Sequence, residues 1–189
     1  MERKHGPYTI KSSECLHKDE FAEMRLDEVV RPNGEPGCYA TMRMRPGVAV
    51  LALDAEGFAY LVRSFRYAVG RECVEVVQGM VDEGEQAQDA ARRELREELG
   101  IEAEEWTDLG LVDAVTSQVF SPAQVFLARG LTFGETDREG GERMQTVKVK
   151  FEEAVRMVMG GEITQGTSCV LILKASRVIA DFGLRNVDY

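Results

Sequence analysis

The chain has 189 residues, 44% of them hydrophobic, and a formal net charge of −10. That length and composition suit one globular domain with a real core and a small extension. The acidic balance argues against a general nucleic-acid-binding surface and against docking on anionic membranes. No apolar run approaches the ~20 residues of a membrane-spanning helix. The start, Met-Glu-Arg-Lys-His-Gly-Pro, has no apolar stretch after its charges, so no secretory signal is expected. The cysteines, Cys15, Cys38, Cys73 and Cys169, lack CxxC spacing and only two histidines accompany them. Free thiols in a reducing cytoplasm, without a zinc site, are the expectation.

In chain order, residues 7–45 read as extended. Tyr8-Thr9-Ile10 begins a strand; Glu20 to Val30, with an irregular apolar pattern, reads as a strand, with a helix as the alternative. Pro32 to Gly37 is a turn cluster, and Cys38 to Arg45 alternates as a half-buried strand does. Gly47 to Leu53 is wholly apolar, which predicts a strand buried on both faces. Asp54-Ala55-Glu56-Gly57 is a hairpin turn, Phe58 to Tyr67 a strand, and Cys73 to Val77 one further strand leading into a loop at Gly79. Trp106 to Val112 and Val115 to Ala128 read as strands. Gly130 to Gly141, polar and glycine-rich, reads as a mobile loop. Val147 and Val149 mark a short strand, Phe151 to Met159 a helix stopped by Gly160-Gly161, and Ser168 to Phe182 an apolar helix. Strands around one central helix, then two more helices, predict a mixed sheet between helical layers.

The stretch Gly79 to Ile101 carries the chemistry. Its helix, from about Gln86 to Leu99, has an apolar stripe of Ala87, Ala91, Leu95 and Leu99. Glu94, Glu97 and Glu98 gather at i, i+3 and i+4, Arg93 stands four residues before Glu97, and Gly100 is placed to stop the helix. Charged helix faces are usually just solvated. Here neighbouring carboxylates repel by roughly 0.2–0.5 kcal/mol per pair. A hard cation offsets that repulsion, and Mg²⁺ binds through a few carboxylates, waters and substrate phosphates.

The stretch resembles the Nudix box, Gly-x5-Glu-x7-Arg-Glu-(apolar)-x-Glu-Glu-x-Gly-(apolar). Gly79, Glu85, Arg93, Glu94, Leu95, Glu97, Glu98, Gly100 and Ile101 fill every fixed position. The resemblance implies an α/β fold, a Nudix α/β/α sandwich with a mixed β-sheet. Residues 1–45 resemble the N-terminal β extension of ADP-ribose pyrophosphatase-like members, which implies a dimerisation arm, a homodimer, and a Nudix domain over 46–189. It also implies hydrolysis of a nucleoside diphosphate joined to a group X, with Mg²⁺, or alternatively Mn²⁺, as cofactor. Glu94, Glu97 and Glu98 are the implied metal ligands, the Gly79 carbonyl an extra one. Arg93 is expected to orient the glutamates, and Glu85 to hold the loop or lie in the outer metal shell.

Within that subgroup an Arg-x-aromatic-Arg segment precedes the box. Arg63-Ser64-Phe65-Arg66 matches it, so Arg66 is a candidate for gripping substrate phosphate. Glu75 corresponds to the glutamate before the box and is a second substrate-binding candidate, with a structural partner near the loop as the competing reading. The subgroup takes its general base from a carboxylate on a later loop. Here that loop is Glu135 to Glu142, with Glu142 the first choice and Glu139 the alternative. His5 and His17 lie in the extension, away from the box.

Three departures bear on the choice of X. Val77-Gln78 stands where such members carry Pro-Ala; Ser117 stands at a common proline position, with Pro122 the nearest proline; and a loop glutamate is replaced near Ser121. ADP-ribose, cleaved to AMP and ribose 5-phosphate, is the expected substrate. The alternatives are another nucleotide sugar of the ADP-sugar or GDP-mannose type, or a nucleotide-sensing domain without turnover. The intact box favours turnover, and the acidic chain disfavours removal of nucleic-acid caps.

Overall fold

The computed structural model describes residues 2–136 and 144–182. Its elements are β1 (Arg3–His5), β2 (Tyr8–Lys18), β3 (Ala22–Val30), β4 (Pro36–Met44), β5 (Gly47–Leu53), β6 (Phe58–Arg66), β7 (Arg71–Glu75), β8 (Val77–Met80), α1 (Ala87–Leu99), β9 (Ile101–Asp113), β10 (Val119–Phe120), β11 (Pro122–Phe133), β12 (Gln145–Lys150), α2 (Phe151–Met159) and α3 (Gly166–Phe182). They form two compact units, Met1–Pro46 with Asp113–Pro122, and Gly47–Val112 with Ala123–Tyr189.

The first unit is a sheet of order β1-β2-β3-β4-β10. Its first four strands pair antiparallel in succession, and β10 joins β4 in parallel. Ile10 and Val29, opposite each other across β2 and β3, are its buried pair. Tyr8 and Tyr39 meet edge to face at 5.4 Å. Asp19 holds the β2–β3 turn, its Oδ1 accepting the amides of Phe21 and Ala22 at 2.8 Å each. Hydrogen bonds, His17's first and then those two amides, hold its carboxyl down at about 2.

The second unit is an α/β/α sandwich. Its sheet runs β12-β6-β5-β11-β9, with β7 added to β6 and β8 to β5. It is mixed: β11 lies parallel to β5, while β6 and β8 lie antiparallel to it. The strand period of two explains why β5 is apolar throughout. Ala49, Leu51 and Leu53 face a core shared with α2 and α3 residues such as Phe151, Met157, Leu171 and Ile172. Val48, Val50 and Ala52 face the opposite core, with Ala90, Ala91, Leu95 and Leu99 of α1. Each large side chain fully buried there contributes about 1.5–3 kcal/mol. No helix among the described residues is long and apolar enough to cross a membrane.

Several sequence expectations are corrected. The single strand at Cys73 to Val77 is two strands, because β5 and β6 pair only beside their hairpin, at Ala52–Tyr60 and Leu53–Ala59. Beyond that point segment 71–80 enters between them, β7 pairing with β6 and β8 with β5. Gly79 therefore sits in a strand and not in a loop. The strand expected at Trp106 starts at Ile101, directly after α1. The strand expected at Val115 to Ala128 is replaced by turn residues 114–118, the two-residue β10, and β11, which runs through Gly130 to Phe133. Of the expected loop, residues 130–133 belong to β11 and 134–136 follow it outside the strand; the remainder lies outside the described residues.

Candidate active site

Helix α1 begins without a side-chain cap; Gln86 is its N-cap residue. A tether built from Arg93 fastens the helix to its approach loop instead. Arg93 Nε and Nη2 donate to the two carboxylate oxygens of Glu85, each at 3.1 Å. Nη2 also reaches the Met80 carbonyl at 2.9 Å, and Nη1 donates to Glu94 at 2.7 Å and to Glu97 at 3.3 Å. Glu85 in turn accepts the Asp82 amide at 2.9 Å, which closes the loop on itself. One planar cation thus sets the loop, the end of β8 and two helix carboxylates. The Glu85 hydrogen bond, followed by those with Glu94, raises the arginine well above its ordinary value, against the effect of burial.

Glu94 packs against the backbone of Gly79; a Cβ on that residue would collide with its carboxyl. The demand for glycine there is one of space and not of backbone conformation: any side chain at Gly79 would displace the Glu94 carboxyl from its present position. Burial pushes the Glu94 carboxyl above its usual range, the Arg93 contact opposes this, and the charges of Glu97 and Glu85 add to the rise. Glu98 is half-buried, with Oε2 withdrawn from solvent. Glu97 is the more open of the two arginine-bound helix carboxylates, its side chain 34% exposed against 15% for Glu94.

A second cluster adjoins along β8. Arg66 Nε and Nη2 donate to Glu75 Oε2 at 3.1 and 2.7 Å. Glu75 is buried, and Gln78 Nε2 also donates to its Oε2, at 3.0 Å. Gln165 Nε2 donates to Gln78 Oε1 at 3.1 Å, and Gln165 Oε1 accepts the Ser168 amide at 2.6 Å. Sequence reasoning singled out Arg66 and Glu75 but missed Gln165 and Ser168. The sequence signal for Gln78 is its departure from the Pro-Ala pattern, which puts a side-chain amide where alanine is usual.

Of the sequence candidates, Gly79, Glu85, Arg93, Glu94 and Glu97 converge, and Arg66 pairs with Glu75. Glu142 and its alternative Glu139 lie outside the described residues. The described chain leading towards them is anchored at α1: Gly134 donates to the Gly100 carbonyl at 2.7 Å. The four cysteines are free.

The NUDIX domain pattern matches residues 43–158. This chain belongs to the Nudix hydrolase family. It is 33% identical over 184 residues to an ADP-ribose pyrophosphatase of Mycobacterium tuberculosis (strain ATCC 25618 / H37Rv), covering 95% of this chain and 87% of that one. It is 29% identical over 154 residues to an ADP-ribose pyrophosphatase of Bacillus subtilis (strain 168), covering 80% and 83%. Among solved structures, an ADP compounds hydrolase superposes with a TM-score of 0.81 over 96% of this chain and 98% of that one. Its identity is 20%, so it speaks for the fold alone.

Nudix hydrolases generally use divalent metal ions. Among the described residues no group of three or more His, Cys, Asp or Glu side chains is arranged to hold an ion by itself. The Nudix box fits a more open mode. Glu94 lies against the Gly79 backbone, and its carboxylate shares one helix face with those of Glu97 and Glu98. Waters and substrate phosphates complete such a coordination shell, as is usual for Mg²⁺.

Proposed function

We propose that the chain hydrolyses the diphosphate of ADP-ribose, yielding AMP and ribose 5-phosphate, with Mg²⁺ as the working ion and Mn²⁺ as its substitute. The observation that carries the reading is the Arg93 tether, which gathers Glu85, Glu94 and Glu97 beside Gly79. The names of the two bacterial relatives favour ADP-ribose as X.

In the reaction, water adds to one phosphorus, the bridging P–O bond breaks, and the departing phosphate leaves with its oxygen. Glu94, Glu97, Glu98 and the Gly79 carbonyl would hold the ion, which neutralises phosphate charge and makes water a better nucleophile. Arg93 keeps the carboxylates in place, and Glu85 keeps the loop in place. Arg66, set by Glu75, grips a phosphate through its guanidinium. Glu142 takes the proton of the attacking water, with Glu139 as the alternative base. Residues 1–45 form the arm of a homodimer, residues 46–189 form the Nudix domain, and the protein works in the cytoplasm.

The test is a panel of ADP-ribose, ADP-sugars, GDP-sugars, diadenosine polyphosphates and NADH, each incubated with Mg²⁺ and read by product mass. AMP and ribose 5-phosphate from ADP-ribose, formed faster than any other products, support the reading. Preference for a GDP-sugar would replace X, and no turnover of any member would favour a nucleotide-sensing domain.

A further inference from the structure

We propose that Gln78 and Gln165 are positioning residues: a one-way amide relay from the start of α3 that fixes Glu75 where it aims Arg66 at substrate phosphate. The inference rests on the hydrolase reading above.

The direction of the relay follows from its ends. A backbone N–H only donates, so the Gln165 oxygen must face Ser168, and its NH₂ group must face Gln78. Gln78 then accepts on one side, from Gln165 at 3.1 Å, and donates on the other, to Glu75 at 3.0 Å. An ionised carboxylate only accepts, so the far end demands the same orientation. The two amides satisfy both ends at once and in one arrangement only.

The relay is clamped. Ser168 is fully buried, and its hydroxyl accepts the Val76 amide at 3.2 Å. This second bond joins α3 to the residue beside Glu75, so the side chains and the backbone of segment 75–78 are held from one short stretch, Gln165 and the first turn of α3. Glu75 Oε2, which receives Gln78, is also the atom that receives both Arg66 donors. A shift of the carboxylate therefore moves the guanidinium. Alanine, as in the Pro-Ala pattern, has no side-chain group to make this connection.

The test compares wild type with Q78A, Q165A and Q165E in Mg²⁺-dependent hydrolysis of ADP-ribose. Q78A and Q165A should raise KM about tenfold, the scale of one hydrogen bond, with kcat little changed. Q165E should raise KM further, although glutamate is closer to glutamine in shape. A carboxylate at position 165 has no hydrogen to give Gln78, so the Gln78 amide must reverse and turn its oxygen on Glu75. A packing role alone predicts the opposite order, with Q165E milder than Q165A. That order, or a KM unchanged in Q165E, overturns the relay. If wild type leaves ADP-ribose intact, the hydrolase reading fails and the relay is still decided. Affinity for inorganic pyrophosphate in EDTA, by calorimetry, must then fall in the same order across the variants, and equal affinities overturn it.

Discussion

Arg93 grips Glu85 with a two-pronged fork, Nε and Nη2 each 3.1 Å from a separate carboxylate oxygen. Arg93→Lys keeps the charge and loses the fork, because an ammonium is a point donor on a flexible stem. Glu85 then loses its bidentate partner, and Glu94 and Glu97 lose theirs. A partly buried group left short of a hydrogen bond costs about 1–3 kcal/mol. In a chain of this length that lowers Tm by roughly 2–4 °C per kcal/mol. Calorimetry should show the drop, and kcat/KM should fall at least ~10-fold with the misaligned carboxylates. A wild-type Tm together with wild-type kinetics would refute the tether.

Glu98→Gln preserves shape and removes one charge from the proposed metal face. The fall in kcat should reach at least ~100-fold, in line with the several kcal/mol a metal clamp supplies. Mg²⁺ binding to the folded state should raise the Tm of wild type and do so much less in the variant. Near-normal turnover in Glu98→Gln would remove it from the ligand set.

Gly100 is needed for two reasons. It ends α1 in the left-handed region at φ 63°, and a Cβ there would approach the Gly134 carbonyl oxygen to 2.6 Å. Gly84, at φ 82°, has nothing within 4 Å of its Cβ position. Gly84→Ala should therefore cost only the backbone strain, about 1–2 kcal/mol. Gly100→Ala should cost clearly more, because backbone must move. Urea denaturation of the two variants measures the difference, and equal losses would show that the Gly134 approach is easily relieved.

The proposed base is tested by Glu142→Gln beside Glu139→Gln. Loss of a base alone should lower kcat by about 10²–10⁴-fold and leave KM and Mg²⁺ affinity nearly unchanged. Glu139→Gln should matter less. An active Glu142→Gln with a dead Glu139→Gln reassigns the base; activity in both removes this segment from the chemistry.

For the proposed homodimer, light scattering on the full chain should give about twice 21.1 kDa. Deleting residues 1–45 should cause aggregation or loss of activity. A fully active monomer would end that proposal.

The box helix was legible because its signals are local. Leu95 and Leu99 at helical spacing, and Gly100 at the stop, depend only on the turn they occupy. The same holds for β5, whose apolar run has matching bounds in sequence and structure and reports burial on both faces. Ala90, also on α1, is buried beside that stripe, because the helix face against the sheet is wider than the single i, i+4 row. The first turns of β9 were missed because Glu102, Glu104 and Glu105 mask a strand that Ile101 begins.

The sequence by itself determined that the Nudix box is complete from Gly79 to Ile101, because its spacing is local to the end of one strand, a loop and one helix. Only the tertiary structure decided how segment 71–80 divides and what Gln78 touches. Those features depend on β5 and β6 diverging after two paired positions, and on Gln165 arriving from just before α3, 87 positions away in the chain. Strand pairing and buried amide contacts are settled by partners distant in sequence, so no local pattern records them.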